Sequence, residues 1–308
     1  MKRTRLSVLT AKLEPVGGGV VVPSPTEDAF EVANTNHTPM ETDKAKSEVI
    51  RPYFGAKQEM NTTWWSSIEF TIEVALSGLK GKAPKYERFL RACGTAMVVT
   101  ADTSVEFTPI TDNPELITIH YSKDGELHQL VNARGSVSFD GKFNELLKLR
   151  FKFVGKAQPV TDQIKAMPTY ETLADKLIFR DGEATATVFG LDDMGIESVS
   201  LDLANDLQKF QVLGVSESMI VERSPSLKLV VMARKMADVN WYDKAINNKT
   251  GAIKLVFGNK PGSILQLDMP KVAVNGLGDT DKNGVRMLEI SGTVLPVAGN
   301  DELKITLK

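Results

Sequence analysis

The residues with most chemistry to offer are three histidines, one cysteine and a few paired carboxylates, and their spacing decides how far that chemistry goes. His120 and His128 flank Asp124-Gly125, a dipeptide whose positive φ angles suit a tight hairpin turn. Facing residues of a hairpin come within ligand reach, so the two imidazoles with Asp124 or Glu126 form a candidate metal site. The plainer reading, polar side chains on the solvated side of a hairpin, carries more weight. His37 stands apart in an irregular stretch. Glu69 with Glu73, and Asp192 with Asp193, are carboxylate pairs of the kind used in acid and base catalysis, but Glu69 and Glu73 fall on the polar face of a strand, where a solvated charge is the ordinary outcome. Cys93 lies on an apolar helical stripe, which suits a buried, inert thiol. The sequence has no Ser/His/Asp motif, no glycine-rich loop of the phosphate-cradling kind and no Cys/His cluster, and Gly17-Gly18-Gly19 is an isolated run. No enzyme activity, metal or cofactor is expected.

The elements that would carry these residues are mostly strands. From Ile68 to Leu76 every second residue is apolar, with Glu69, Thr71 and Glu73 between them, which is a strand with one buried face. A short helix is predicted over 84–93: Pro84 fits a first turn, Tyr86, Phe89, Leu90 and Cys93 form one stripe, and Gly94 caps the end. Further strands are predicted over 6–13, 96–100, 117–121, 127–131, 134–139 and 147–153, with a second hairpin turn at Asp140-Gly141. The second half restarts with strands over 186–189, 198–203, 218–222 and 227–232. A helix follows over 240–246, with Asn240 as N-cap, Asp243 in the first turn and Gly251 past the end. Strands over 253–257, 264–269, 271–274 and 285–295 complete it. Strand, short helix, strand thus occurs twice, so the halves read as one unit used twice.

Composition is compatible with two β units. A chain of 308 residues that is 42% hydrophobic can bury real cores. The 37 basic and 39 acidic residues give a formal charge of -2, which leaves no broad cationic footprint for nucleic acid or an acidic membrane. One cysteine forms no internal disulfide and suits a reducing cytoplasm. The basic start Met1-Lys2-Arg3-Thr4-Arg5 precedes no apolar run of signal-peptide length, and a stretch of about 18 apolar residues occurs nowhere. Neither secretion by a signal peptide nor a membrane span is expected.

Residues 14–62 form the exception. Glycines, prolines and asparagines alternate there with charge, and no period is sustained. So long an irregular segment usually serves as an arm or binding loop, or is disordered. It also carries Val20, Val21, Val22, Phe30, Val32 and the run Ile50-Arg51-Pro52-Tyr53-Phe54, whose apolar members are costly to leave in water. They are therefore candidate contacts to another copy, the alternative being a loop folded over its own domain. Aromatic residues cluster at Trp64-Trp65 and Trp241-Tyr242 as well; stacking on sugar or single-stranded bases is the functional reading, and a core or subunit contact is the favoured one.

Several separated segments, in order, resemble the tail tube proteins (major tail proteins) of long-tailed bacteriophages, longer two-domain type. They are Ile50-Arg51-Pro52-Tyr53-Phe54-Gly55, the alternating strand, Phe89-Leu90-Arg91-Ala92-Cys93-Gly94, Tyr121-Ser122-Lys123-Asp124-Gly125-Glu126-Leu127-His128 and Ala133-Arg134-Gly135-Ser136-Val137-Ser138-Phe139. Leu149-Arg150-Phe151-Lys152-Phe153-Val154-Gly155, Glu197-Ser198-Val199-Ser200-Leu201-Asp202-Leu203 and Gly299-Asn300-Asp301-Glu302-Leu303 continue the likeness. It implies a mainly β fold of two tandem β-sandwich or partial-barrel tube domains, each with one short flanking helix, plus a long N-terminal arm. The expected division is a first tube domain at 1–156, a connection at 157–182 and a second tube domain at 183–308. The resemblance further implies self-assembly into stacked rings around a channel for DNA. Six tube domains per ring would need three copies, with tape-measure, terminator and distal tail proteins as partners, assembly in the host cytoplasm and residence in the virion. An acidic channel lining would repel phosphate, and Glu69, Glu73, Asp202 and Glu289 are candidates for it, although Lys148, Arg150 and Lys152 on nearby strands leave the inward face open. The alternative function is a two-module β-sandwich that binds carbohydrate through Trp64-Trp65 or Trp241.

Overall fold

The computed structural model describes residues 6–15, 19–165, 167–192 and 194–308. A first series of elements comprises β1 (Ser7–Leu13), β2 (Ala29–Phe30), β3 (Ala33–Glu41), β4 (Lys44–Lys46), β5 (Glu59–Asn61), β6 (Trp65–Glu73), α1 (Glu87–Ala92), β7 (Thr95–Thr100), β8 (Ser104–Pro109), β9 (Ile117–Lys123), β10 (Glu126–Lys142), β11 (Lys148–Ala157) and β12 (Thr161–Asp162). A second comprises β13 (Ala184–Val188), β14 (Ile196–Asp202), β15 (Asn205–Val212), β16 (Val215–Arg223), β17 (Ser226–Met232), α2 (Trp241–Ile246), β18 (Thr250–Phe257), β19 (Leu265–Lys282), β20 (Val285–Val294) and β21 (Lys304–Leu307). The chain is mainly β, and its large antiparallel sheets do not close into a barrel.

The two series pair their strands in the same order. In the first, β6 lies between β3 and β11, β11 pairs with β10, the early part of β10 pairs with β9, and β9 pairs with β1. In the second, β17 lies between β14 and β20, β20 pairs with β19, the early part of β19 pairs with β18, and β18 pairs with β13. A two-stranded hairpin leaves each series at the same point, β4–β5 between β3 and β6, and β15–β16 between β14 and β17. A short helix follows β6 in one and β17 in the other. The β7–β8 hairpin belongs to the first series, and β8 pairs with β21 of the second.

Local chemistry explains the helices. Before α1 comes Pro84, and after it Gly94 takes φ +79° while its N–H bonds the Arg91 carbonyl; Phe89, Leu90 and Ala92 face the core, so packing rather than length stabilises this short element. In α2 the Asn240 side chain accepts from the Asp243 N–H at 2.9 Å, an N-cap that satisfies one orphan donor. Past its end, Asn248 takes the left-handed turn at φ +52°; Gly251, expected there, lies in β18.

Besides the β8–β21 pairing, a second backbone joint fuses the sheets. The last residues of β10 pair with β14, Ser138 opposite Asp202 through Lys142 opposite Ser198. Apolar faces of both series then share one core. Phe70, Phe89, Phe151 and Phe153 stack within it, and Phe30 meets Phe89 at 4.6 Å. Across the joint, Phe139 of β10 meets Phe257 of β18 at 5.3 Å.

Several expectations are corrected. Residues 127–131 and 134–139 are parts of one strand, β10, and 264–269 with 271–274 belong to one strand, β19. Asp140-Gly141 is not a turn but part of β10, opposite Ser200 and Val199; the chain reverses later, where Asn144 takes φ +65°. The segment 14–62 is less irregular than its composition, because nine of its residues form β3 along β6.

Candidate functional site

From β3 through β6, β11, β10, β14, β17 and β20 to β19, eight strands lie side by side, and strict register carries residues of like kind onto one face. One row runs Thr71, Arg150, Ser138, Asp202, Ser226 and Thr293; the next runs Glu73, Lys148, Asp140, Ser200, Lys228 and Ser291. Flanking rows add Glu69 with Lys152 and Ser136, and Lys142 with Ser198, Val230 and Glu289. Alternation sends their neighbours Phe70, Phe151, Val137, Leu201, Leu229 and Ile290 to the core. The four acidic candidates, Glu69, Glu73, Asp202 and Glu289, therefore share one face.

That face is balanced in charge, not acidic. On these four rows the carboxylates are Glu69, Glu73, Asp140, Asp202 and Glu289 and the cations Lys142, Lys148, Arg150, Lys152 and Lys228; Glu41, Lys156 and Lys282 stand at the ends of the face. Most of them meet: Lys152 lies 3.4 Å from Glu69, Arg150 3.2 Å from Asp140 and Lys228 3.3 Å from Glu289. Lys176 reaches Glu73, Lys142 lies 3.3 Å from Glu145, and Ser200 donates to Asp140 at 2.8 Å. Exposed pairs of this sort add little stability, but they cancel the local field within about one Debye length of ~8 Å. Between them sit hydroxyls of Ser136, Ser138, Ser198, Ser200, Ser226, Ser291 and Thr293. Sequence reading missed this hydroxyl set, although the alternation Ser198-Val199-Ser200-Leu201 signals it.

Two hairpins extend from matching places beside this face. β15–β16 lies across β10 and β11 of the first series. Arg134 holds it by donating from Nη1 to the Ser218 carbonyl at 2.7 Å while Nε and Nη2 donate to the Pro114 carbonyl. Asn132 donates to the Ser216 carbonyl at 2.8 Å, and Asn205 donates to the carbonyls of Cys93 and Gly135. Its tip leaves Leu213 fully exposed. Lys209 of β15 reaches Glu41 at the end of β3 and holds that carboxyl below its usual range. The other arm, around β4–β5, leaves Ile50, Arg51, Pro52, Tyr53 and Phe54 exposed, with the Arg51 guanidinium 6.0 Å from the Tyr53 ring centre. Val20 and Val22 are also exposed and Val21 is half-buried. Phe30 is buried in the chain's own core, so as a subunit contact it is corrected to an internal residue, while Val32 packs half-buried against that core.

The candidate chemistry largely dissolves into structure. Register places His120 opposite Gln129 and His128 opposite Tyr121, on opposite faces of the sheet, so the two imidazoles cannot share a metal. Nor are they solvated: His120 is 7% exposed, and the His128 ring packs 4.8 Å from His37, which itself sits 5.3 Å from Tyr121. Burial, aided by Lys123 and His128, pushes His37 down to about 3, and burial pushes His120 down to about 4. Among the described residues no group of three His, Cys, Asp or Glu is arranged to hold a metal. The Cys93 thiol is buried, which raises its pKa well above the ordinary value. Asp192 accepts from the Thr187 hydroxyl at 2.6 Å; Asp193, Gly17 and Gly18 and the basic start at 1–5 lie outside the described residues. A cleft of about 390 Å³ beside β6 holds Glu31, Glu73, Glu171, Lys85 and Lys176; Glu73 is engaged by Lys176 and Glu171 by the Lys85 N–H. Trp65 and Trp241 are core residues at 2% and 4% exposure, which leaves Trp64 as the exposed member of the tryptophan set. Among the described residues no helix is long and apolar enough to cross a membrane.

Among the described residues the surface is thus one of extended sheet, balanced charge and projecting arms. No curated protein matches the sequence. The family model described as "Phage tail tube protein" matches residues 4–307, essentially the whole chain. That family is structural rather than enzymatic, and its members are components of the virion tail. The likeness first seen in scattered segments therefore holds along the full length, and the chain belongs to the phage tail tube proteins.

Proposed function

We propose that this chain is a self-assembling wall subunit whose copies close into rings, and whose rings stack into the hollow tube through which DNA passes to the host. The observation that carries the proposal is the repeated strand order together with the β10–β14 joint. Each series forms the body of one tube domain, the first over 1–156 and the second over 183–308, with 157–182, which carries β12, as the connection. A chain that already contains two joined domains needs three copies for a ring of six. Tape-measure, terminator and distal tail proteins would meet the ends of the stack, which assembles in the host cytoplasm.

The polar sheet face is the lumen wall in this reading, with Glu69, Glu73, Asp202 and Glu289 among its residues. A cationic lining would gather phosphate through counterion release and hold it. A balanced face with many hydroxyls neither captures nor strongly repels the duplex, so DNA slides past it. The arm residues Val20, Val21, Val22, Ile50, Arg51, Pro52, Tyr53 and Phe54 would be covered by neighbouring subunits or by the next ring, which removes their apolar area from water.

Mass measurement of the assembled ring, or a rotational power spectrum of the tube, tests the stoichiometry. Three chains are expected, and a ring of six whole chains rejects the two-domain arithmetic. Material that stays monomeric at every concentration rejects assembly itself.

A further inference from the structure

The internal joint shows how one tube domain receives the next, and the two ends of the chain carry the matching halves unused. At the joint, the late part of β10 offers the edge that β9 no longer covers, and β14 takes it. In the second series β18 covers β19 only as far as Ala273, while β20 continues along the other edge to Lys282. Among the described strands, the edge of β19 beyond that point has no partner. The counterpart of β14 is β3, which pairs with β6 on one edge and, among the described strands, with nothing on the other.

The series are matched by setting Leu227 of β17 where Ile68 stands in β6, the first inward-facing apolar residue of each strand, and register carries the match outward. Phe139 opposes Leu149, which opposes Ile72; Asp279 opposes Leu288, which opposes Val231. Residues 138–142 therefore match 278–282, and Lys282 stands where Lys142 stands. On the receiving side Leu201 opposes Leu227 as His37 opposes Ile68, so Asp202 and Ser200 match Thr38 and Asn36. We propose that the edge of β19 at 278–282 pairs antiparallel with β3 of a second copy, Gly278 opposite Thr38 and Thr280 opposite Asn36, carrying the polar sheet face unbroken from chain to chain.

This rests on the self-assembly reading and adds the strands and the register to it. Two independent features agree. Thr280 and Asn36 both lie on the polar face, as their counterparts Asp140 and Ser200 do, so the pairing joins like face to like face. Pairing at the internal joint ends at Asp202; in β3 the next position after its counterpart Thr38 is Pro39, which has no N–H to give and ends a ladder there. The inward side differs in kind. Where the internal joint buries Phe139 and Leu201, the outer one presents Asp279, held by Arg286 at 2.8 Å, and His37. The copy-to-copy joint thus lacks the apolar seal of the internal one and depends on backbone pairing, as suits an edge that must remain soluble until a partner arrives.

The test places cysteines at Thr280→Cys with Asn36→Cys in one chain, and at Gly278→Cys with Thr38→Cys in another. Opposed strand residues lie at disulfide distance, and the native Cys93 is buried. Mild oxidation of the assembled protein should link chain to chain in a ladder that stops at the closed ring. Thr280→Cys with Thr35→Cys, which face opposite sides, should not link. Hydrogen exchange on the unmodified protein supplies a reading free of substitutions: amides in 277–282 and 34–38 should gain protection on assembly. Rings that form with neither link nor protection overturn this pairing and leave ring assembly intact; absence of rings at any concentration overturns both.

Discussion

Gly141 illustrates how one residue type supports two readings. Next to Asp140 it looks like a hairpin turn, yet it lies in β10 at the joint between the series, and an added Cβ would come within 3.0 Å of Leu147 and 3.1 Å of Val199. Its role is close approach, which sequence alone does not distinguish from turn geometry. Gly141→Val is expected to cost about 1–3 kcal/mol through overpacking, read as a lower denaturant midpoint with unchanged slope. The histidines make a second residue-scale case. His37 and His120 have folded values of about 3 and about 4, below the ordinary 6.5, so between those values and 6.5 the unfolded chain binds more protons than the folded one. Stability is then full above pH 6.5 and falls as the pH drops toward 4, with each histidine contributing at most about 1.4 kcal/mol per pH unit. His120→Leu should flatten part of that slope in melts taken from pH 7 to 4.5, whatever its effect at pH 7; an unchanged slope would remove His120 from the account.

At the scale of elements, the strands that alternate cleanly were legible, because one buried face leaves a period of two: β6, β14, β17 and β20 fall close to where their apolar residues put them. Helix ends were legible where a side chain makes the cap, as at Asn240. What escaped were strands whose identity depends on a distant partner. β3 reads as polar loop and becomes a strand through β6; β8 forms along β7 and β21 along β19, and the two pair with each other. The hairpin β15–β16 was half seen, since β15 is exposed along most of its length, and its position on the first series depends on hydrogen bonds that no periodicity announces. Arg134 supplies the test. Burial lowers its pKa, with Glu217 and Glu14 opposing the shift; Arg134→Met would leave the Ser218 and Pro114 carbonyls without their donor. We expect a loss of about 1–3 kcal/mol and faster proteolysis at the exposed tip around Leu213, while the strands of the two sheets keep their hydrogen-exchange protection.

For the whole molecule, the decisive property is that carboxylates and cations widely separated in sequence are brought onto one face in pairs. Single strands carry unequal charge, acidic on β6 and basic on β11, so no local stretch discloses the balance; only the eight-strand order does. If that face lines the tube, its neutrality governs how DNA moves. Glu69→Lys with Glu289→Lys would leave three carboxylates against seven cations on the four central rows of each chain's face, a difference repeated around every ring. Both side chains are half-exposed, and the loss of the Lys152 and Lys228 pairs should cost little stability, so tubes should still assemble. Duplex DNA passing through them would then meet a cationic wall, and its release from particles should slow at low ionic strength. Because the added attraction comes from counterion release, it should fade steeply as salt rises, restoring release in the variant while the parent particle changes much less. Assembled variant particles that release DNA at the parent rate at every salt concentration would place this face away from the channel.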